Sequence, residues 1–235
     1  MQAQRHNIYT LIHKGIRRQL CHCMNALGAL DYKDNHAVIT VMEELSEVLV
    51  FCQQHLEHEN TFIHPILLQL QPTLSLQSVH DHEEHEISIL KLHRQVLSIR
   101  NNVGQVVASD ILDLYRNFAL FVAENLLHMH DEETHNANLL MRHLSDQEIL
   151  AIEHRLVSSL TPQQSEQSLN LILAACTHQE RSALLQELSA VFPPETLIRL
   201  VINTSLNLPA TELHKLCHTS TADAKDSRIM LEGSK

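Results

Sequence analysis

The stretch Val41-Met-Glu-Glu-Leu45-Ser-Glu-Val48-Leu-Val-Phe-Cys52-Gln-Gln-His55-Leu-Glu-His-Glu59-Asn-Thr-Phe62-Ile-His-Pro-Ile66 decides how this chain folds. Steps of three and four pick out Val41, Leu45, Val48 and Cys52, the apolar stripe of a long helix that faces a core. The stripe then runs through His55 and Glu59 before turning apolar again at Phe62 and Ile66. An imidazole and a carboxylate left unpaired at such positions cost a few kcal/mol each. A helix that keeps both there must be using them.

The same reading extends to three further stretches. Helical patterns cover residues 5–30, 35–70, 74–100 and 105–143, joined by short polar connections at 31–34, 71–73 and 101–104. Connections this short require antiparallel neighbours, which predicts an all-α, up-down-up-down four-helix bundle. The first stripe reads His6, Tyr9, His13, Ile16, Leu20, Cys23, Leu27, and the third reads His82, His85, Ile89, Leu92, Val96, Ile99. The fourth reads Ile111, Leu114, Phe118, Phe121, Asn125, His128, Glu132, His135, Leu139. At about 1.5 Å per residue the heights of the polar interruptions agree to within roughly 10 Å, so they meet at one level.

Composition agrees with this reading. The 235 residues include only 4 Gly, 6 Pro and no Trp, which favours helices throughout. Histidine is the odd count: of 19 in all, the great majority precede Leu144, and so large a local surplus asks for a chemical reason. A formal net charge of −11 argues against nucleic acid as a partner. The five cysteines form no CxxC pair, the opening residues 1–5 are polar and predict no signal peptide, and no apolar run has the length of a membrane span. The expectation is a cytoplasmic protein with no membrane partner.

Imidazoles joined by a few carboxylates suit iron, manganese or zinc, and two bridging carboxylates would let two cations lie side by side. His13, His55, Glu59, His128 and Glu132 are the expected ligands, completed by members of the cluster His80-Asp-His82-Glu-Glu-His85-Glu86. Most of that cluster is expected to be a solvated helix face. His58, His64, His130 and His143 are expected on the surface or around the ligands. Cys23 and Cys52 read as small hydrophobes.

Three stretches carry a family resemblance. His55-Leu-Glu-His-Glu59-Asn-Thr-Phe-Ile-His-Pro65 resembles the second-helix motif of the hemerythrin-like (HHE cation-binding) family, Ile12-His13-Lys-Gly-Ile-Arg17 its first, and His128-Met-His-Asp-Glu132-Glu133 its fourth. The resemblance spans about residues 5–145. It implies a non-haem di-iron centre that binds or senses a small diatomic ligand, oxygen or nitric oxide, or that handles iron. The third helix of the family often supplies His-x-x-x-His, and this chain departs from that. Carried over, His85 pairs with Asp81, whereas read as a core stripe it pairs with His82; His85 is favoured and its companion stays open. On the fourth helix Glu132 is preferred and Glu133 stays open. Tyr9, Glu133 and His135 are candidates for the layer behind the ligands.

Ser145-Asp-Gln-Glu148, Thr161-Pro162 and Thr177-His-Gln-Glu180 mark the starts of shorter helices. They predict a separate short-helix module over 145–217 after a first domain at 1–144, with a flexible tail at 218–235. This extension resembles the helical one of some bacterial members of the family. A binding or sensing protein, a di-iron enzyme acting on peroxide or nitric oxide, and a metal-stapled interaction protein all fit these residues, with a homodimer open as an assembly.

Overall fold

The computed structural model describes residues 5–209, 211 and 212, with 73–81 described by backbone alone. Every regular element among the described residues is helical. In chain order these are α1 (Thr10–Gly28), α2 (Asn35–Phe62), α3 (His64–Leu70), α4 (Pro72–Asn101), α5 (Ala108–Asp131), a π-helical turn (Glu132–Asn136), α6 (Ala137–His143), α7 (Asp146–Ser159), α8 (Pro162–Ala175), α9 (His178–Ser189) and α10 (Pro194–Leu206). Among the described residues no helix is long and apolar enough to cross a membrane.

Local chemistry sets the ends. Asp34 opens α2 by accepting the amides of His36 and Ala37, each at 3.0 Å. The second stretch was expected to run unbroken to residue 70, but it breaks at Ile63. Pro65, with no N–H to give to the preceding turn, starts α3 instead. The first helix starts at Thr10 rather than at residue 5, because Arg5 turns its guanidinium to the carbonyls of Met141 and Leu144 and to Asp146. Before α5, Gly104 takes φ 90°, a left-handed conformation that a side chain would resist.

The chain divides into two compact units, residues 1–160 and 161–235. In the first, α1 packs on α2 and α5, and α4 packs on α2 and α5, so the four long helices close a ring of contacts. Their shared core joins Ile16, Leu20 and Leu27 of α1 to Leu45, Leu49 and Cys52 of α2, Leu92 and Val96 of α4, and Leu114 and Phe118 of α5. A second, smaller core gathers Ile8, Tyr9, Ile63, Leu67, Leu139 and Leu140 with Ile149 and Ile152 of α7. Those two isoleucines tie α7 to the first unit, so the division falls one helix later than the change of sequence character at Ser145.

In the second unit α10 packs on α8 and α9. Arg181, only 1% exposed, donates to the carbonyls of Leu173 at 2.8 Å and Cys176 at 2.7 Å. It thereby satisfies carbonyls at the end of α8 that no helical amide reaches. The expected tail at 218–235 lies outside the described residues.

Candidate metal centre

Between the two cores of the first unit lies a layer of buried polar side chains. His13 of α1, Glu59 of α2, His82 and His85 of α4, His128 of α5 and Glu132 of the π-turn are all buried, and His55 is nearly so. Their donor atoms form two groups of four, each with every atom within 4.8 Å of the rest. One holds His13, His55, Glu59 and Glu132, and the other holds His82, His128, Glu59 and Glu132. Both carboxylates belong to both groups.

In the first group the Nε2 atoms of His13 and His55 face each other at 3.2 Å. Glu59 Oε1 stands 3.2 Å from His55 and 3.7 Å from His13, and Glu132 Oε2 is 3.5 Å from His13. In the second group the Nε2 atoms of His82 and His128 are 2.9 Å apart. Glu59 Oε2 and Glu132 Oε1 each lie 3.7 Å from His82, and Glu132 Oε2 is 3.3 Å from His128. Donors about 2.0–2.1 Å from one ion at tetrahedral angles stand ~3.4 Å from each other. The observed separations bracket that spacing.

Among the described residues none of the four carboxylate oxygens has a hydrogen-bond partner, although each is fully buried. Such oxygens are costly unless a cation meets them. The imidazoles are turned to serve the same end. His13 Nδ1 donates to Glu133 Oε1 at 3.1 Å, and Arg17 holds the same oxygen. His82 Nδ1 donates to Asn60 Oδ1 at 2.8 Å. With the outer nitrogen carrying the proton, the inner Nε2 presents a lone pair to the layer, the arrangement that outer partners impose on metal-bound histidines.

The electrostatics show how strained the two carboxylates are. Burial and the Glu59 charge hold the Glu132 carboxyl well above the usual carboxylate range. Burial works against the Glu59 charge too, but the rings of His55 and His13 outweigh it and keep that carboxyl well below its ordinary value. Burial would lower His13, yet Glu133 and Glu59 pull it up to about 9. His128 is pushed down to about 2, first by burial and then by His82 and His85. The residues thus fit divalent cations: the upward pull on Glu132 and His13 marks where positive charge would be held.

The remaining candidates take other places. His85 lies against His128, ring centroids 4.9 Å apart, and belongs to neither four-donor group. The side chain of Asp81 is outside the described residues. Glu133 stands behind His13, as a partner and not a member of either group. Tyr9 stacks on His13 with centroids 5.4 Å apart, and burial, with Glu132 and Glu59, keeps its phenol protonated well above the usual range. His135 faces outward, 3.3 Å from Asp131. The wider π-turn rotates it off the stripe and brings Asn136 inward.

Asn60 was not singled out in the sequence, and His64 was expected on the surface or around the ligands. His64 is buried and stacks on His82 with centroids 4.3 Å apart; burial and His82 lower it to about 4. Its signal was available, since a histidine one turn beyond Glu59 and just before a proline sits where the second core begins. Cys23 and Cys52 belong to the first core, and burial pushes both thiols up to about 12, so neither offers a thiolate. A surface groove between α4 and α5, lined by Glu84, Ile87, Glu124, Leu127 and Asp131, reaches His85 and His128. Compared with family models, curated proteins and solved structures, the chain has no significant match among any of the three.

Proposed function

We propose that the first unit is an up-down-up-down four-helix bundle of hemerythrin type. In it His13, His55, His82 and His128, with Glu59 and Glu132 as shared bridges, hold two non-haem iron ions that bind or sense a small diatomic ligand. The observation that carries this reading is the double membership of Glu59 and Glu132, whose four buried oxygens face two separate pairs of imidazole nitrogens. The order of core and ligand along each long helix supports the alternating topology. Core residues follow His13 in α1 and His82 in α4, and precede Glu59 in α2 and His128 in α5.

When bound, the iron pair would supply positions for an outside ligand, because iron accepts more than four donors. The chain's own contribution is to orient the imidazoles through Glu133 and Asn60, to exclude water with the two cores, and to leave the α4–α5 groove as an approach. A second reading follows from the donor count. Four donors per position would close a tetrahedral zinc site, and the metal would then serve only to staple the helices.

Absorbance separates the two. Protein loaded with iron without oxygen and then exposed to air or to nitric oxide should develop new visible bands, and His55→Ala and His128→Ala should each remove them. A chain that retains only zinc, colourless and unresponsive to either gas, would favour the staple.

A further inference from the structure

Two buried polar side chains beside the candidate centre belong to neither four-donor group. Both ring nitrogens of His64 lie within the protein with no hydrogen-bond partner among the described residues, and the buried Tyr9 hydroxyl has the Asn136 side chain beside it but no well-formed hydrogen bond among those residues. The two residues are 1% and 3% exposed. Each stacks on one ligand candidate of a different group, Tyr9 on His13 at 34° and His64 on His82 at 33°.

Both lie on the same side of the carboxylates. Along α1, His13 is followed by Ile16 and Leu20 of the first core, and Tyr9 lies in the opposite direction, within the second core. Along α2, Cys52 and Leu56 of the first core precede Glu59, and Ile63 and Leu67 of the second core bracket His64. One face of the donor layer is therefore closed by aliphatic and phenylalanine side chains. The other carries a phenol and an imidazole.

Left as they stand, these groups lower stability, since phenylalanine would fill either place without a buried unpaired polar atom. A group stacked on a metal-ligating ring is set back from the metal itself. It is placed instead to reach an atom that the metal holds. Charge says which kind: two divalent cations against two carboxylates leave the layer positive, and Glu133 is already matched by Arg17.

We propose that Tyr9 and His64 form the polar face of a small-anion site at the metal pair, each donating a hydrogen bond to an azide-sized ligand. The proposal rests on the di-metal reading of the same layer, and it gives that centre a binding pocket built from two residues that are not metal ligands.

Azide is the probe. Iron-loaded, air-oxidised wild type, Tyr9→Phe and His64→Phe are titrated with sodium azide by following the azide-to-iron absorbance band, with iron per chain measured on the same samples. Each variant should keep its iron and bind azide about tenfold more weakly, the equivalent of one hydrogen bond of about 1.4 kcal/mol. Melting temperatures without added metal should be no lower than the wild type's. Azide affinity within about twofold of wild type in both iron-replete variants would overturn the proposal. So would a loss of affinity that merely tracks lost iron. Should His64→Phe not fold, Tyr9→Phe removes a single oxygen and carries the test alone. A wild type that takes up no iron would instead end the di-metal reading, and this proposal with it.

Discussion

Glu133 acts on the candidate centre without belonging to either donor group. It accepts from His13 Nδ1 and is held by Arg17, and Arg17 and His13 draw its carboxyl down to about 2 against the effect of burial. A charged carboxylate behind an imidazole fixes which nitrogen faces the metal and makes that nitrogen a better donor. Glu133→Gln can turn its amide N–H toward His13 and so favour the wrong ring tautomer. Metal affinity should fall by about 10- to 100-fold, measured by competition with a chromophoric chelator, while the far-ultraviolet helix signal stays unchanged. At this scale the six side chains the structure gathers are all among those read from the helical stripes. The sequence favoured His85, with Asp81 or His82 as its companion, whereas the four-donor group contains His82, three residues away on the same α4 stripe. That choice depends on Asn60 of α2, which offers a carbonyl to His82 from another helix.

Elements show where local pattern was enough and where it failed. The capping boxes at Ser145 and Thr177 stand as their sequences suggest, and Thr161, read as a helix start from Pro162, caps α8 in the same way, each side chain bonding the amide three residues on. Ser145 is the telling case, because α7 carries Ile149 and Ile152 into the second core beside Tyr9. Ser145→Ala should cost about 1 kcal/mol in denaturant unfolding, since the amide of Glu148 loses its acceptor. An unchanged midpoint would mean that α7 contributes nothing to the first unit. The π-turn at Glu132–Asn136 was not legible. A stripe read at fixed steps carries His135 inward, whereas the wider turn releases it to Asp131. The break at Ile63 was hidden for a related reason: the stripe continues in phase through Phe62 and Ile66, and only Pro65 marks the interruption.

For the molecule as a whole, a polar layer lies between two apolar cores, and a separate three-helix packing follows it. The helical class was legible from scarce glycine and proline and from the stripes. The limit of the first unit was not, because the composition changes at Ser145 while the packing of Ile149 and Ile152 carries the unit to Leu160. In the proposed centre two carboxylates, each shared between the two donor groups, would make one site for two cations. Removing either should therefore disturb both positions.

The direct measurement is metal content by elemental analysis of protein prepared without oxygen and supplied with ferrous iron, for wild type, Glu59→Ala and Glu132→Ala. About two irons per wild-type chain are expected and fewer than about one in each variant, with helix content retained. Less than about one metal per wild-type chain, or variants that still hold the full complement, would contradict the proposed centre.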